Sequence, residues 1–122
     1  MSPAPVTHFE ILGTDGASLA CFYRDSFGWP LHSVPMAGYD HYAYLPATNR
    51  TIGGAVGSPS SAALPAVVVY VEVPDLTAAI DRAVAAGGRP DGNVTALPGG
   101  EGTYAHLLDP AGNRIGIMSR HP

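Results

Sequence analysis

HFEILGTDGASLACFYRDSFGW, residues 8–29, lies over VVYVEVPDLTAAIDRAVAAGGR, residues 68–89, at a constant offset of 60. Each stretch opens with a short apolar run, reaches an aspartate (Asp15, Asp75) and continues as a helical segment ending at glycine (Gly28, Gly87–Gly88). Aspartate before a helix caps its first amides, and glycine past the end supplies the left-handed closing residue. The echo continues downstream. YAYLPATNRTIGG (42–54) resembles YAHLLDPAGNRIGI (104–117), each a strand, a turn holding Asn-Arg and a second strand. There the offset drifts from 62 at the tyrosines to 64 at the Asn-Arg pair, so the turns differ in length. GSPSSAALP (57–65) is a linker by composition. The chain therefore predicts one domain over 1–122 made of two βαβββ repeats, about 6–56 and 66–119. Neither half would bury much alone. Together they predict an α+β fold, a curved mixed sheet around a cleft with both helices on its outer face.

Periodicity assigns the faces. Leu19, Phe22, Tyr23 and Phe27 fall on one side of the first helix, and Leu76, Ile80, Ala83 and Val84 on one side of the second. Both stripes read as core, and Cys21 as a small buried residue. Strand alternation places Phe9, Ile11, Val69, Val71, Val73, Ala43, Leu45, Ala105, Leu107, Ile115 and Ile117 under the helices. The opposite face then carries His8, Glu10, Leu12, Tyr42 and Tyr44 from the first half. From the second it carries Val68, Tyr70, Glu72, Tyr104, His106, Arg114, Gly116 and Met118. A face built from Tyr, His, Glu, Arg and Met suits a ligand pocket or a protein seam, because rings can pack there while their polar ends bond.

Composition narrows the classes. Of the 122 residues 46 % are hydrophobic and 13 % charged, with a net charge of −4 and six cationic side chains, all arginine. No basic stripe marks a nucleic-acid partner. The longest apolar run, AVVVYV, is far shorter than a membrane span. No secretory signal is visible and the single cysteine cannot form an internal disulfide, so a cytoplasmic protein is expected. GTDGAS (13–18) has the wrong glycine spacing for a dinucleotide loop, and no nucleophile elbow, phosphate loop or paired-cysteine zinc motif occurs.

The paired units, FYRDSFGW (22–29) and the DPAGNRIGI hairpin (109–117) resemble the vicinal oxygen chelate superfamily of glyoxalase I, bleomycin-resistance proteins and extradiol dioxygenases, over roughly residues 6–119. The resemblance implies metal ligands on the first strand of each half and carboxylates on the last strand of each. His8 matches the first position, but Val68 stands at the second, Gly116 at the last-strand position of the second half, and a residue near Gly53 at its counterpart. One ligand of four implies a metal-free member with no cofactor, unless His8, Glu10 and His106 form a rearranged site. Gly53 and Gly116 leave room where carboxylates would reach, or mark sheet curvature.

Two functions follow as expectations, and the sequence does not settle whether the protein is an enzyme. The first is metal-independent binding of a small aromatic or antibiotic-like metabolite. Tyr42, Tyr44, Tyr70, Tyr104 and Trp29 would pack on it, with Met118 on the same face, and His8, Glu10, Glu72, His106 and Arg114 would anchor it. Trp29 reads equally as core. The second is a glyoxalase-type lyase, isomerase or dioxygenase, using a metal or acid–base chemistry by His8 or His106 beside Glu10 or Glu72. No catalytic residue is assigned. The likeness to single-domain members implies a homodimer, and a third, plainer possibility is that a partner chain covers the aromatic face.

Overall fold

The computed structural model describes residues 2–61 and 64–121. Two compact units divide the chain, one over 8–68 and the other from residue 69 onward with the residues up to Thr7; the strands Val6–Leu12 and Ala66–Glu72 each span a boundary, and each opens one repeat. The fold is α+β, with the same strand–helix–strand grammar in each unit.

The first unit runs β1 (Val6–Leu12), α1 (Gly16–Phe27), β2 (His32–Ser33), β3 (Tyr39–Leu45) and β4 (Gly53–Pro59). β1 lies parallel to β4, which pairs antiparallel with β3, and β3 with β2. Asp15 accepts a hydrogen bond from the Ser18 amide at 3.0 Å, and α1 closes at Gly28 with φ 68°. One face of this sheet packs on α1: Ala43, Leu45 and Val56 are buried with Ala20 and Leu31, and Phe9, Ile11, Leu19, Tyr23 and Trp29 pack around them. Burying each large side chain of this kind contributes roughly 1.5–3 kcal/mol before entropy is counted.

The second unit runs β5 (Ala66–Glu72), α2 (Leu76–Ala85), β6 (Arg89–Pro90), β7 (Thr95–Ala96), a 3₁₀ turn (Pro98–Gly100), β8 (Thr103–Leu108) and β9 (Arg114–Ser119). β5 is parallel to β9, β9 antiparallel to β8, and both β6 and β7 pair with β8. Asp75 caps α2 through the Ala78 amide at 3.1 Å. The β8–β9 hairpin is held by Asp109, whose Oδ1 accepts from the Ala111 and Asn113 amides while Oδ2 accepts from Asn113 Nδ2. These bonds hold the Asp109 carboxyl below its ordinary value. Leu76, Ala105, Leu107 and Ile117 form the core under α2, with Val71, Val73, Ile80 and Ala83 against them.

The structure corrects several expectations. Gly57, Ser58 and Pro59 belong to β4, so the first unit outlasts its expected end at 56; residues 62 and 63 of the supposed linker lie outside the described residues. The second unit has one short strand more than the first, β7. Phe22 (54 % exposed), Phe27 (63 %), Val84 (47 %) and Val69 (42 %) stay out of the cores. A 3.6-residue stripe wraps further round α1 than the short sheet beneath it reaches, so Leu19, Ala20 and Tyr23 press inward while Phe22 and Phe27 do not. Cys21 is exposed, not buried. The N-terminal segment bonds to the second unit: the Pro5 carbonyl accepts from the Glu72 amide at 2.9 Å, and the Thr7 hydroxyl meets Met118 sulfur at 3.8 Å.

Candidate functional site

In the first unit the sheet face opposite α1 centres on Glu10. It is only 4 % exposed, and a buried carboxylate is costly unless hydrogen-bonded. Tyr39 donates to both of its oxygens at 3.0 Å, and Tyr42 donates to Oε2 at 3.0 Å. The two rings meet edge to face at 4.8 Å. His8 Nε2 lies 3.2 Å from the Tyr42 oxygen. Because the single Tyr42 proton goes to Glu10, the histidine N–H donates to the phenol oxygen. Burial lowers the His8 pKa from 6.5, opposed by the Glu10 charge, so the ring is predominantly neutral at pH 7. The result is a directed chain from His8 through Tyr42 to Glu10.

Tyr39 is the residue that alternation misses. Counting back from Ala43 and Leu45 puts it under the helix, but the β3–β4 register shifts between Tyr39 and His41. That irregularity turns Tyr39 to the Glu10 side. Tyr44, opposite Ala55, is 38 % exposed and joins none of these bonds. Trp29 is placed elsewhere. It stacks on Tyr23 at 5.0 Å and meets Phe9 edge to face at 5.6 Å, within the helix-side packing. Phe9 and Glu10 project to opposite sides of β1, so Trp29 is separated from the Glu10 cluster.

In the second unit the equivalent face is aromatic. Tyr70 is 4 % exposed, and its hydroxyl bonds His106 Nε2 at 2.7 Å. Tyr70, Tyr104 and His106 form three mutual edge-to-face contacts with centroids 5.5–6.4 Å apart. Burial, then the Arg114 charge, lower the His106 pKa to about 4, against the opposing pull of Asp91. The ring is therefore neutral at pH 7. Arg114 Nε donates to Asp91 Oδ2 at 2.9 Å, and the Asp91 amide donates to the His106 carbonyl at 2.9 Å. Asp91 carried no sequence signal: it stands in a loop whose approach to β8 only the folded chain reveals. Glu72 accepts from Arg120 Nε at 3.1 Å, and Met118 pairs with Tyr104 across the strands.

The strand register corrects an equivalence. Glu10 lies opposite Ala55 and Tyr70 opposite Gly116, so the counterpart of Gly116 is Ala55 and that of Arg114 is Gly53. Gly116 is not open space either. A Cβ built there would strike the Tyr70 ring, so this chain's own side chain already occupies the room. At Gly53 the nearest atoms are the Leu45 carbonyl oxygen at 3.3 Å and the backbone and side chain of Ala47.

These residues do not fit the metal that the resemblance implies. Val68, buried at 1 % exposure, and Gly116 offer no donor atoms, and the Glu10 oxygens accept from tyrosines. Among the described residues no group of three or more His, Cys, Asp or Glu is placed to hold a metal ion. A separate depression of about 330 Å³ is lined by Gly87, Arg89, Asp109, Pro110, Ala111 and Gly112. Its carboxylate is consumed by the hairpin turn, so it ranks below the aromatic faces as a site. Among the described residues no helix is long and apolar enough to cross a membrane.

The model of the Glyoxalase/Bleomycin resistance protein/Dioxygenase superfamily matches residues 6–117. No curated protein matches the chain. Among solved structures, methylmalonyl-CoA epimerase from Mycobacterium tuberculosis is similar at a TM-score of 0.71 and 18 % identity, over 100 % of this chain and 93 % of that one. A hypothetical protein from Bacillus halodurans C-125 gives 0.73 and 14 %, over 97 % and 95 %. The 2,2',3-trihydroxybiphenyl 1,2-dioxygenase of Sphingomonas wittichii strain RW1 gives 0.64 and 17 %, over 93 % of this chain and 41 % of that one. At such identities the likeness is one of fold, and one fold hosts many chemistries.

Proposed function

This chain belongs to the Glyoxalase/Bleomycin resistance protein/Dioxygenase superfamily, and on that premise we propose that it binds a small aromatic, antibiotic-like molecule without a metal, on the sheet face opposite the helices. The observation that carries the reading is the Tyr70 ring lying over Gly116. Where the resemblance implies a carboxylate, this chain places the buried Tyr70 ring, which supports the half-buried rings of Tyr104 and His106 as an aromatic surface. Such a surface stacks on planar ligands, and neutral His106 adds no desolvation cost of a charge. The test is metal content of the purified protein, followed by thermal melts with nickel, zinc, manganese or iron(II) and then with a panel of aromatic metabolites and antibiotics. Stabilisation by aromatic compounds alone supports the reading; stoichiometric metal that raises the melting temperature overturns it.

A second reading rests on the His8–Tyr42–Glu10 chain. A buried carboxylate joined through a phenol to a neutral histidine is suited to moving a proton. The likeness in fold to an epimerase agrees with proton chemistry but carries no substrate to this chain. Incorporation of solvent deuterium into a weakly acidic C–H substrate, lost in Glu10→Gln, would favour this reading over pure binding.

A further inference from the structure

We propose that the ligand face of the second unit is built for an aromatic carboxylate: the ring packs on Tyr104 and His106, which the buried Tyr70 supports from beneath, and the acid group bonds the Nη atoms of Arg114, with Asp91 as a positioning residue. The inference rests on the aromatic-binding reading and names its ligand class.

Strand register puts the parts on one face. His106 stands opposite Gly116, and Arg114 lies two residues before Gly116 on β9, so its side chain projects to the same side. The diagonal separation between such positions is within reach of a long side chain. The Arg114 charge is felt at His106, in keeping with the shared face that the register gives them.

The hydrogen bonding of Arg114 selects an anion. Arginine carries five N–H donors, and the Asp91 contact is made by Nε. The four Nη–H donors form the edge that matches a carboxylate in a two-point pairing. With its side chain 34 % exposed, Arg114 is reachable, while Asp91 restrains it and is itself tied to β8 through its amide. A cationic ligand would need an acid on this face. Both nearby acids are engaged, Asp91 by Arg114 and Glu72 by Arg120. Neutral His106 contributes no positive charge, so the attraction for an acid falls to Arg114.

The experiment is calorimetric titration of the full chain with 2-naphthoate and with its neutral isostere 2-naphthamide at pH 7.5. The expected result is acid binding roughly tenfold tighter than amide, the value of one well-placed charge-assisted pair. Arg114→Gln should abolish that preference by weakening the acid alone, Arg114→Lys should retain part of it, and Asp91→Asn should reduce it while leaving amide affinity unchanged. A merely structural role for Asp91 would weaken both probes together. Should Arg114→Gln fail to fold, the wild-type preference must still shrink on going to about 0.5 M NaCl. Equal affinities for acid and amide overturn this inference and leave aromatic binding standing. A preference untouched by Arg114→Gln also overturns it. Binding of neither probe, nor of any aromatic compound in the panel, overturns the parent reading.

Discussion

The two halves hold different chemistry at matching positions. In the first, Glu10 faces Ala55 across a parallel pair; in the second, Tyr70 faces Gly116. The larger residue at the first-strand position is accommodated by removing a methyl group from its neighbour. The third strands diverge likewise, with Tyr44 opposite Ala55 and His106 opposite Gly116. The first half therefore presents a buried acid fed by two phenols, and the second a set of rings joined to a neutral histidine. Even the relief of crowding by glycine differs: Phe9 lies against Gly54 on the helix side, whereas Tyr70 lies against Gly116 on the opposite side. A duplicated backbone does not oblige its halves to share a task.

The sharpest way to break this comparison is at Gly116. Alanine there must displace the Tyr70 ring and should cost about 3 kcal/mol in urea denaturation, near the upper end for overpacking. Tyr70→Ala is itself costly, but combined with Gly116→Ala it should cost less than the two changes summed. Ala55→Gly in the first half has no ring to relieve and should cost only about 0.5–1 kcal/mol of backbone entropy. Equal losses at the two sites would mean that the ring and the glycine are not complementary.

Glu10→Gln comes next. It keeps the size but removes the charge that both phenols donate to, so about 2 kcal/mol should be lost. Tyr39→Phe should lose less, since Tyr42 still serves the acid. A stable Gln variant would show that the acid is kept for function rather than for the fold.

The smallest effect is the pH response that the halves share. His106 titrates at about 4 when folded against 6.5 when unfolded, so between these values the unfolded chain binds more protons. Its contribution is complete above pH 6.5 and is lost as the pH falls towards 4. Solvent screening around the half-buried ring leaves about 1–2 kcal/mol. The His8 pKa is lowered as well, so it acts in the same direction. Denaturation curves between pH 7 and 4 should flatten in part with His106→Gln and further with His8→Gln added. A profile unchanged by either substitution would assign acid lability to other groups.

Much of this molecule was legible before folding. The repeat, the two aspartate caps, the glycine stops and the DPAGN hairpin all involve residues a few positions apart, and each appears where local chemistry puts it. Alternation placed His8, Glu10, Tyr42, Tyr70, Tyr104 and His106 away from the helices for the same reason: a strand fixes the facing of neighbours i and i+2. Failure came where the pattern depends on distant geometry. Trp29, Phe22 and Phe27 all look apolar, but how far round α1 the sheet extends decides which of them is covered. The mistaken equivalence of Gly53 and Gly116 has a similar cause, because turns of unequal length hide the register that hydrogen bonds between strands define.

Sequence by itself determined the repeated architecture and the absence of donor side chains at Val68 and Gly116, because both follow from residue type and short spacing. Tertiary structure alone decided that Tyr39 turns to Glu10, that Tyr70 fills the room at Gly116 and that Asp91 reaches Arg114. Each depends on an irregular register, a cross-strand approach or a loop return, and no rule of local spacing sets any of these. They follow from burying the rings and pairing the charges together in one packed arrangement.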